Sequence, residues 1–163
     1  MRIGIGHDCH RLGPGGPLRI GGIHIPHDRE LLGHSDADVL LHAVTDAVLG
    51  AAALGDIGAM FPDTDPANRG RDSAEMLALA WRRVAGEGWR LSNLDCTVFA
   101  QRPKIGPHRD AIRQRLAEIL DCPAEAINIK AKTAEGAGPV GREEIIAAEC
   151  AVLIELDDEG NRR

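Results

Sequence analysis

The sequence has very few aromatic side chains: of its 163 residues, two are Trp, two are Phe and none is Tyr. A domain of this length still buries about 70% of its unfolded surface. Aliphatic side chains, with many Ala and Gly, must therefore fill the core, which favours helices packed closely on a sheet. The scarcity of aromatics also argues against single-stranded nucleic acid as a partner, since base stacking requires them.

Basic charge is also scarce. The 19 Lys and Arg are outnumbered by 25 Asp and Glu, and no basic run exceeds two residues. Because binding to a phosphate backbone requires a basic face, we expect no nucleic-acid partner. No apolar run approaches the roughly 18 residues of a membrane span, and residues 1–10 lack a signal pattern. We therefore expect a soluble, cytoplasmic protein with no membrane partner.

The four cysteines form no CxxC motif, so four free thiols are expected in a reducing compartment. Among them, Cys9 is interpreted as a small buried hydrophobic residue.

The chain length and the absence of a repeat or linker predict one domain over residues 1–156, followed by a charged tail over residues 157–163. The expected fold class is α+β, a two-layer sandwich of helices on a mixed β-sheet. Ser35 and Asp38 indicate a capping box at the start of the first helix. The long loop over residues 55–70 is a functional candidate. Predicted strands cover 1–7, 94–101, 127–133 and 147–156, a hairpin covers 17–25, and helices cover about 35–54, 73–86 and 107–120.

The stretch HDCH (residues 7–10) places four candidate metal ligands in consecutive positions, starting at the last residue of the first predicted strand. Because side chains alternate across a strand, Asp8 and His10 share one face while His7 and Cys9 share the other. A carboxylate oxygen with an imidazole nitrogen suits a divalent ion such as zinc. Taken alone, the same pair is more typical of a solvated strand edge, and its occurrence together with His42 and the HSDAD stretch favours a metal site.

His42, on the first predicted helix, is the best candidate for a third ligand. Asp38 and Asp46 lie on the same side of that helix, so one of them is expected to accept the second ring N–H of His42. Three protein ligands leave one coordination position open, as in catalytic zinc sites. The alternative is a core histidine whose hydrogen bonds are satisfied.

Other segments carry residues that suit phosphate chemistry. His34 and Ser35 stand at the start of the first predicted helix, where free N–H groups favour a phosphate, although Ser35 is also an ordinary cap. Strand alternation puts Thr133 and Glu135 on one face, where a hydroxyl and a carboxylate suit a phosphate and magnesium. The loop over residues 100–106 suits a nucleobase edge. Simple turns are the alternative for this loop and for the aspartates of residues 55–70.

The chain resembles the 2-C-methyl-D-erythritol 2,4-cyclodiphosphate synthase family of the non-mevalonate isoprenoid pathway in four segments: GHDCH, HSDADVLLHAVTDAVLGAAALGDIGAMFPDTDP, AQRPKIGPH, and IKAKTAEG followed by GR. The resemblance runs from Met1 to about Glu155 in family order and spacing. It implies a homotrimer with active sites at the subunit interfaces. It also implies that the 2-phosphate of 4-diphosphocytidyl-2-C-methyl-D-erythritol 2-phosphate attacks the β-phosphorus and expels CMP.

The resemblance also implies a role for individual residues. Zinc, or another divalent transition metal, would bind Asp8, His10 and His42. Glu135 would help to hold Mg²⁺ or Mn²⁺, and His34 and Thr133 would orient and stabilise the transferred phosphoryl group. The methylerythritol portion would bind Asp56, Ile57, Gly58, Phe61, Pro62, Asp63, Thr64 and Asp65. Ser35 and Arg142 would also bind the substrate. The cytidine diphosphate portion would bind residues of the neighbouring subunit: Ala100, Gln101, Arg102, Pro103, Lys104, Ile105, Gly106, Lys132 and Ala134.

The chain departs from the family pattern in the segment GPVGREEII, where the family usually reads Gly-Phe-x-Gly-Arg-Gly-Glu-Gly. Pro139 replaces the aromatic residue, and Glu143 and Ile145 replace glycines; His7 also takes a position that is more often aromatic or apolar. We expect Glu143 and Glu144 to repel their copies on a threefold axis unless they pair, with Arg142 as the candidate partner.

Two other functions remain as alternatives. A metal-dependent phosphohydrolase would use the open metal position to activate water. A diverged trimeric zinc-containing protein would keep the metal for structure and bind a ligand without turnover.

Overall fold

The chain folds as a five-stranded mixed sheet with helices on one face, in a computed structural model that describes residues 1–157. Apart from its first residue, the predicted tail lies outside the described residues. The strands are β1 (Arg2–Pro14), β2 (Leu18–Ile20), β3 (Ile23–Ile25), β4 (Arg29–Leu32), β5 (Trp89–Phe99), β6 (Ile127–Lys132) and β7 (Ile145–Leu156). The helices are α1 (Val39–Ala52), α2 (Ile57–Met60), α3 (Ser73–Gly86), α4 (Arg109–Leu120) and α5 (Gly138–Gly141). The predicted α+β class with a mixed sheet is confirmed.

The large sheet has the strand order β4-β1-β7-β5-β6, and the β2–β3 hairpin lies apart from it. All neighbours in the large sheet are antiparallel except β5 and β6, which are parallel. Because parallel strands end at the same edge of a sheet, the segments that follow β5 and β6 lie side by side. The Ala100 N–H donates to the Lys132 carbonyl at 2.9 Å across this edge.

Two glycines let α1 pack directly on β1. A Cβ atom added at Gly4 would lie 2.0 Å from the Ala47 carbonyl oxygen, and one at Gly6 would lie 1.9 Å from the Ala43 carbonyl oxygen. Any side chain at these positions would push the helix off the strand. This close packing sets His42 on α1 against the ligand pair on β1.

The core is aliphatic, as the composition predicts. Leu40, Val44 and Leu49 of α1 are fully buried in one apolar cluster with sheet residues such as Ile146 and Val152. The opposite face of the sheet is open at β1, where apolar side chains remain exposed. Ile3 is 68% exposed and Ile5 is 74% exposed. A monomer in water would leave this apolar row unpartnered.

The first helix starts later than the capping-box prediction. Asp38, rather than Ser35, is the N-cap of α1, and its carboxylate accepts the Leu41 N–H at 3.1 Å. The same carboxylate accepts the N–H groups of Gly21 and Gly22 at 2.8 and 2.7 Å. Asp38 is buried because it joins the turn of the β2–β3 hairpin to the helix, a contact that local spacing cannot show.

Strand lengths also differ from the sequence prediction. The first strand continues past residue 7 to Pro14, because its last residues pair with β4, which was not predicted. The strand predicted to start at residue 94 starts at Trp89, where it pairs with the end of β7. In both cases, hydrogen bonding to a neighbouring strand extends the strand beyond the residues that alternate between apolar and polar.

The four cysteines are free thiols, as expected, but Cys9 is exposed rather than buried. It lies on the open face of β1, opposite the helices, so strand alternation turns it away from the core. Within residues 1–157, no helix is long and apolar enough to cross a membrane.

Candidate metal centre and adjoining cavity

Asp8, His10 and His42 converge on one point, at the contact between β1 and α1. Asp8 Oδ2 lies 2.9 Å from His10 Nε2 and 3.0 Å from His42 Nδ1. The two ring nitrogens are 3.1 Å apart. Among residues 1–157, these three residues form the one cluster of at least three His, Cys, Asp or Glu side chains that could hold a metal ion.

The cluster fits a divalent ion such as zinc. Ligands at about 2.0 Å from a tetrahedral ion lie about 3.3 Å from one another. The observed separations of 2.9–3.1 Å are close to that value, and one oxygen with two imidazole nitrogens is a common catalytic donor set. Three protein ligands leave the fourth position for another group.

The titration behaviour of the cluster reflects its mutual attraction. Burial opposes ionisation of Asp8, but hydrogen bonds and charge attraction from His10 and His42 outweigh it and hold its pKa well below the usual range. Burial likewise disfavours protonated His10, yet the Asp8 carboxylate beside it raises the pKa of His10. Without an ion, Asp8 is therefore ionised and His10 readily protonated.

The outer nitrogens of both imidazoles have fixed partners. His10 Nδ1 lies 3.1 Å from the Leu32 carbonyl, an acceptor that places the proton on Nδ1 and leaves the Nε2 lone pair for a metal. His42 Nε2 lies 2.8 Å from Ser73 Oγ and 3.0 Å from Ser35 Oγ. Both imidazole rings are thus held in orientation by hydrogen-bond partners on the side away from the metal cluster.

The prediction that Asp38 or Asp46 accepts the second N–H of His42 is wrong. Asp38 is occupied by backbone N–H groups of the hairpin and of α1. Asp46 accepts the Ile57 N–H at 2.8 Å and so ties α1 to α2, and burial raises its pKa. Ser35 and Ser73, from two other segments, take the position next to His42 Nε2 that was expected for a carboxylate.

A cavity of about 150 Å³ opens beside the metal cluster. His34 and Ser35, the predicted phosphate-binding pair, line it together with Phe61 and Asp63 of the long loop. The complete lining is His10, His34, Ser35, His42, Ile57, Gly58, Phe61, Asp63, Asn68 and Met76. The structure therefore brings much of the predicted methylerythritol pocket next to the cluster.

The other predicted residues of the long loop shape it without lining the cavity. Asp56 caps α2 by accepting the Ala59 N–H at 2.7 Å, and Asp65 caps a short 3₁₀ turn at Pro66–Asn68 by accepting the Ala67 N–H at 3.0 Å. Pro62 and Thr64 are exposed in the intervening turn. The turn-forming alternative is thus observed for both carboxylates.

Sequence reasoning missed Asn68 and Met76 in the cavity wall. Asn68 is buried, donates to the Pro62 carbonyl at 2.9 Å and accepts from Arg71 at 3.0 Å. The guanidinium of Arg71 also lies 5.0 Å from the centre of the Phe61 ring. A polar residue inside a Pro-rich loop gave no local signal of this anchoring role.

The predicted nucleotide-binding segments form a separate region at the ends of β5 and β6. They are residues 100–106 and residues 132–135, joined by the Gly136 N–H, which donates to Gln101 Oε1 at 3.4 Å. The Thr133 hydroxyl donates to the exposed Glu135 carboxylate, although β6 ends at Lys132, so a loop rather than strand alternation unites them. In the part of the chain that the structure describes, these residues do not line the cavity beside the metal cluster.

Arg142 lies in a third place, a groove it shares with Arg11 and Arg29. It forms an ion pair with Glu144 at 2.7 Å, and this hydrogen bond lowers the pKa of Glu144. Glu143 instead lies 3.6 Å from Arg102. The expected pairing with Arg142 is therefore observed for Glu144, while Glu143 has a different partner.

The fold and the site define a class of protein: a mixed α+β domain with an Asp-His-His cluster that could hold a metal ion, beside a cavity. The chain belongs to the YgbB family, whose sequence model matches residues 1–155. The family resemblance stated from the sequence motifs is thereby confirmed.

Named relatives and solved structures are similar over almost the whole chain. The 2-C-methyl-D-erythritol 2,4-cyclodiphosphate synthase of Gemmatimonas aurantiaca is 59% identical over 88% of this chain and 87% of its own length. A structure of a 2-C-methyl-D-erythritol 2,4-cyclodiphosphate synthase with bound CDP is 42% identical, with a TM-score of 0.87, over 94% of this chain and 100% of that one.

A longer, bifunctional protein is also similar. The bifunctional IspDF from Campylobacter jejuni is 41% identical, with a TM-score of 0.92, over 95% of this chain. This chain spans 42% of the length of that protein.

Proposed function

We propose that this chain is a 2-C-methyl-D-erythritol 2,4-cyclodiphosphate synthase, an enzyme of isoprenoid biosynthesis. It converts 4-diphosphocytidyl-2-C-methyl-D-erythritol 2-phosphate to the cyclic 2,4-diphosphate and CMP. The observation that carries the proposal is the convergence of Asp8, His10 and His42 beside the cavity that His34 and Ser35 line. Membership of the YgbB family and the identity of the named relatives support it.

The reaction is an intramolecular phosphoryl transfer. An oxygen of the 2-phosphate forms a bond to the β-phosphorus, and the bond from that phosphorus to the bridging oxygen breaks, so that CMP leaves with the bridging oxygen. The two phosphates repel each other, and catalysis consists mainly of neutralising and aligning them. A protein nucleophile is unnecessary for this step.

Asp8, His10 and His42 would hold zinc or another divalent transition metal. When bound, such an ion polarises phosphoryl oxygens as a Lewis acid. His34, exposed at the cavity mouth, and Ser35 are placed to orient the phosphate that approaches the cluster. Phe61 and Asp63 offer an apolar wall and a hydrogen-bond acceptor to the methylerythritol carbons and hydroxyls. Residues 56–58 and 61–65, together with Arg142, remain predicted substrate contacts.

The nucleotide portion would bind residues 100–106 with Lys132 and Ala134, and Glu135 would help to hold Mg²⁺ or Mn²⁺. The bound CDP of a related structure supports a cytidine diphosphate ligand for this protein. The proximity of Thr133 to Glu135 suits a joint role in positioning the diphosphate.

The proposed assembly is a homotrimer in which each site joins two subunits. One subunit supplies the metal side, which is the Asp8, His10 and His42 cluster with its cavity. Its neighbour supplies the nucleotide side, which is residues 100–106 and 132–135. Two observations support this arrangement: the two sides lie in separate regions of one chain, and the open sheet face carries exposed Ile3 and Ile5. Residues 1–156 would act as one synthase domain, followed by a charged tail. The cytoplasmic location and the absence of nucleic-acid and membrane partners remain predictions.

Phosphorus NMR tests the function directly. Purified protein with zinc, magnesium and the proposed substrate should release CMP and the cyclic diphosphate in equal amounts, whereas Asp8→Asn protein should release neither at a comparable rate. CMP without the cyclic product would show a phosphohydrolase. No turnover by a folded, metal-loaded oligomer would favour a binding protein and contradict the proposal.

A further inference from the structure

A chain of hydrogen bonds runs from His42 away from the metal cluster. His42 Nδ1 faces Asp8 Oδ2 at 3.0 Å, so Nε2 points in the opposite direction, to Ser73 Oγ at 2.8 Å. Ser73 is fully buried and is the first residue of α3. Its hydroxyl is in turn hydrogen-bonded to the Asp36 carboxylate. These hydrogen bonds thus link a candidate metal ligand on α1 to a carboxylate on the preceding loop.

The Asp36 carboxylate is held in place by several donors. Oδ2 accepts from Arg19 NH1 at 2.8 Å and from the Ser73 N–H at 3.1 Å, and Oδ1 accepts from the Asp38 N–H at 3.3 Å. An ionised carboxylate beside a guanidinium has no proton to donate. The Ser73 hydroxyl must therefore donate its proton to Asp36.

This direction determines the protonation of the His42 ring. With its only proton directed to Asp36, Ser73 Oγ offers lone pairs to His42 Nε2, so Nε2 must be the N–H donor. A neutral imidazole with its proton on Nε2 carries its lone pair on Nδ1. Nδ1 is the atom that faces Asp8 and His10.

We propose that Ser73 and Asp36 are positioning residues that fix His42 in the Nε2–H tautomer and direct its Nδ1 lone pair at the metal, with Arg19 anchoring Asp36. This inference rests on the proposed metal centre and deepens it. A metal-ligating histidine usually donates its other N–H to an acceptor that fixes its orientation, and the loss of that acceptor lowers metal affinity. The serine relay places a carboxylate one hydrogen bond further away.

Ser35 provides a matched comparison. Its hydroxyl oxygen is 3.0 Å from His42 Nε2, but it accepts the Ala37 N–H at 3.2 Å and has no carboxylate partner among its hydrogen bonds in residues 1–157. Its own proton is therefore free to rotate, and Ser35 does not dictate which ring nitrogen of His42 is protonated. Removal of Ser35 should leave the tautomer intact, and removal of Ser73 should not.

The test measures both the tautomer and the metal affinity. The tautomer is measured in metal-free protein with ¹⁵N-labelled histidine in an Asp8→Ala background, where no carboxylate faces Nδ1, at a pH where imidazoles are neutral. Long-range ¹H–¹⁵N spectra should show His42 as the Nε2–H tautomer in this background, with or without Ser35→Ala, and as a mixture of both tautomers once Ser73→Ala is added. Zinc affinity is measured with Asp8 intact. Chelator competition should show zinc binding that is about 10- to 100-fold weaker in Ser73→Ala, and a change below about threefold in Ser35→Ala.

Asp36→Ala gives a second route if Ser73→Ala does not fold. It leaves the Ser73 hydroxyl free to donate to the ring, so the Nδ1–H tautomer should appear in the same Asp8→Ala background, and zinc binding with Asp8 intact should weaken by a similar factor. An unchanged Nε2–H tautomer with unchanged zinc affinity, in either folded variant, would overturn the relay. Wild-type protein that binds no zinc would overturn the proposed metal centre instead, while the NMR result would still report on the relay.

Discussion

The two sides of the proposed site differ in how completely one chain builds them. On the metal side, the three ligand atoms lie within 3.1 Å of one another, and both imidazoles are oriented by partners behind them. On the nucleotide side, Lys132 and Glu135 are exposed at the ends of parallel strands, outside the metal-side cavity. The metal side is preorganised, whereas the nucleotide side still lacks an opposing wall.

The difference follows from what each side has to do. Metal ligands must be held at fixed separations against their own repulsion and desolvation, which a helix packed on a strand provides. A nucleotide loop needs a concave site that excludes water, and a second subunit can supply it. Variants that affect one side alone should therefore separate metal retention from turnover.

The largest effect is expected for His42→Ala. Loss of one of three ligands should abolish zinc retention and lower turnover by on the order of 10³-fold or more. The fold should survive, because the side chain leaves the edge of the core rather than its centre. Elemental analysis and circular dichroism check this result, and a variant that keeps stoichiometric zinc would refute the ligand assignment.

Thr133→Ala should affect the nucleotide side alone. Removal of a hydroxyl that positions the transferred phosphoryl group should lower kcat by about 10²-fold. Zinc content should equal that of the wild type, because Thr133 is not part of the ligand cluster. Steady-state kinetics with parallel metal analysis measure both quantities. Loss of zinc in this variant would break the separation between the two sides.

Gly6→Ala tests the packing that builds the metal side. The new Cβ would lie 1.9 Å from the Ala43 carbonyl oxygen, so α1 must shift, at an expected cost of about 1–3 kcal/mol in unfolding free energy or somewhat more. Zinc affinity should fall with it, because His42 lies on α1 and its partners lie on β1.

Gly50→Ala is the matched control on the same helix. A Cβ there meets no atom within 4 Å, so the change should stabilise the helix by up to about 1 kcal/mol and leave zinc affinity unchanged. Denaturant unfolding of both variants measures the contrast. Equal stabilities for the two would contradict the close packing of α1 on β1.

The last expected effect, the pH dependence of zinc affinity, requires no substitution. Because Asp8 raises the pKa of His10, zinc must displace a proton below that pKa, and affinity should fall by about tenfold per pH unit there. Above that pKa affinity should be level, since the lowered pKa of Asp8 keeps it ionised. The fall should begin above the ordinary imidazole value of about 6.5. A zinc affinity that stays constant to well below about pH 6.5 would contradict this prediction.

Local pattern was sufficient to predict some of these features and not others. Strand alternation correctly placed Asp8 and His10 on one face, and helix periodicity placed His42 within reach. Helix periodicity also predicted Asp38 and Asp46 as hydrogen-bond partners of His42, because it identifies only neighbours along the same helix. The actual partner, Ser73, lies 31 residues further along and reaches His42 through the packing of α3 on α1.

The cavity wall shows the same limit. The length of the loop over residues 55–70 marked it as functional, yet its carboxylates Asp56 and Asp65 serve as caps. The buried Asn68 lines the cavity because it secures the loop from within. Capping and anchoring depend on which backbone groups lack partners after folding, and spacing alone does not specify them.

Subunit complementation tests the central claim most directly, namely that each site combines the metal side of one chain with the nucleotide side of another. His42→Ala and Thr133→Ala protein, each nearly inactive, are mixed in equal amounts, unfolded and refolded together, and native mass spectrometry verifies mixed oligomers. Random assembly should restore about a quarter of the wild-type turnover, because about a quarter of the interfaces then join two intact sides. Mixed oligomers with no recovery would show that the site is complete within one chain.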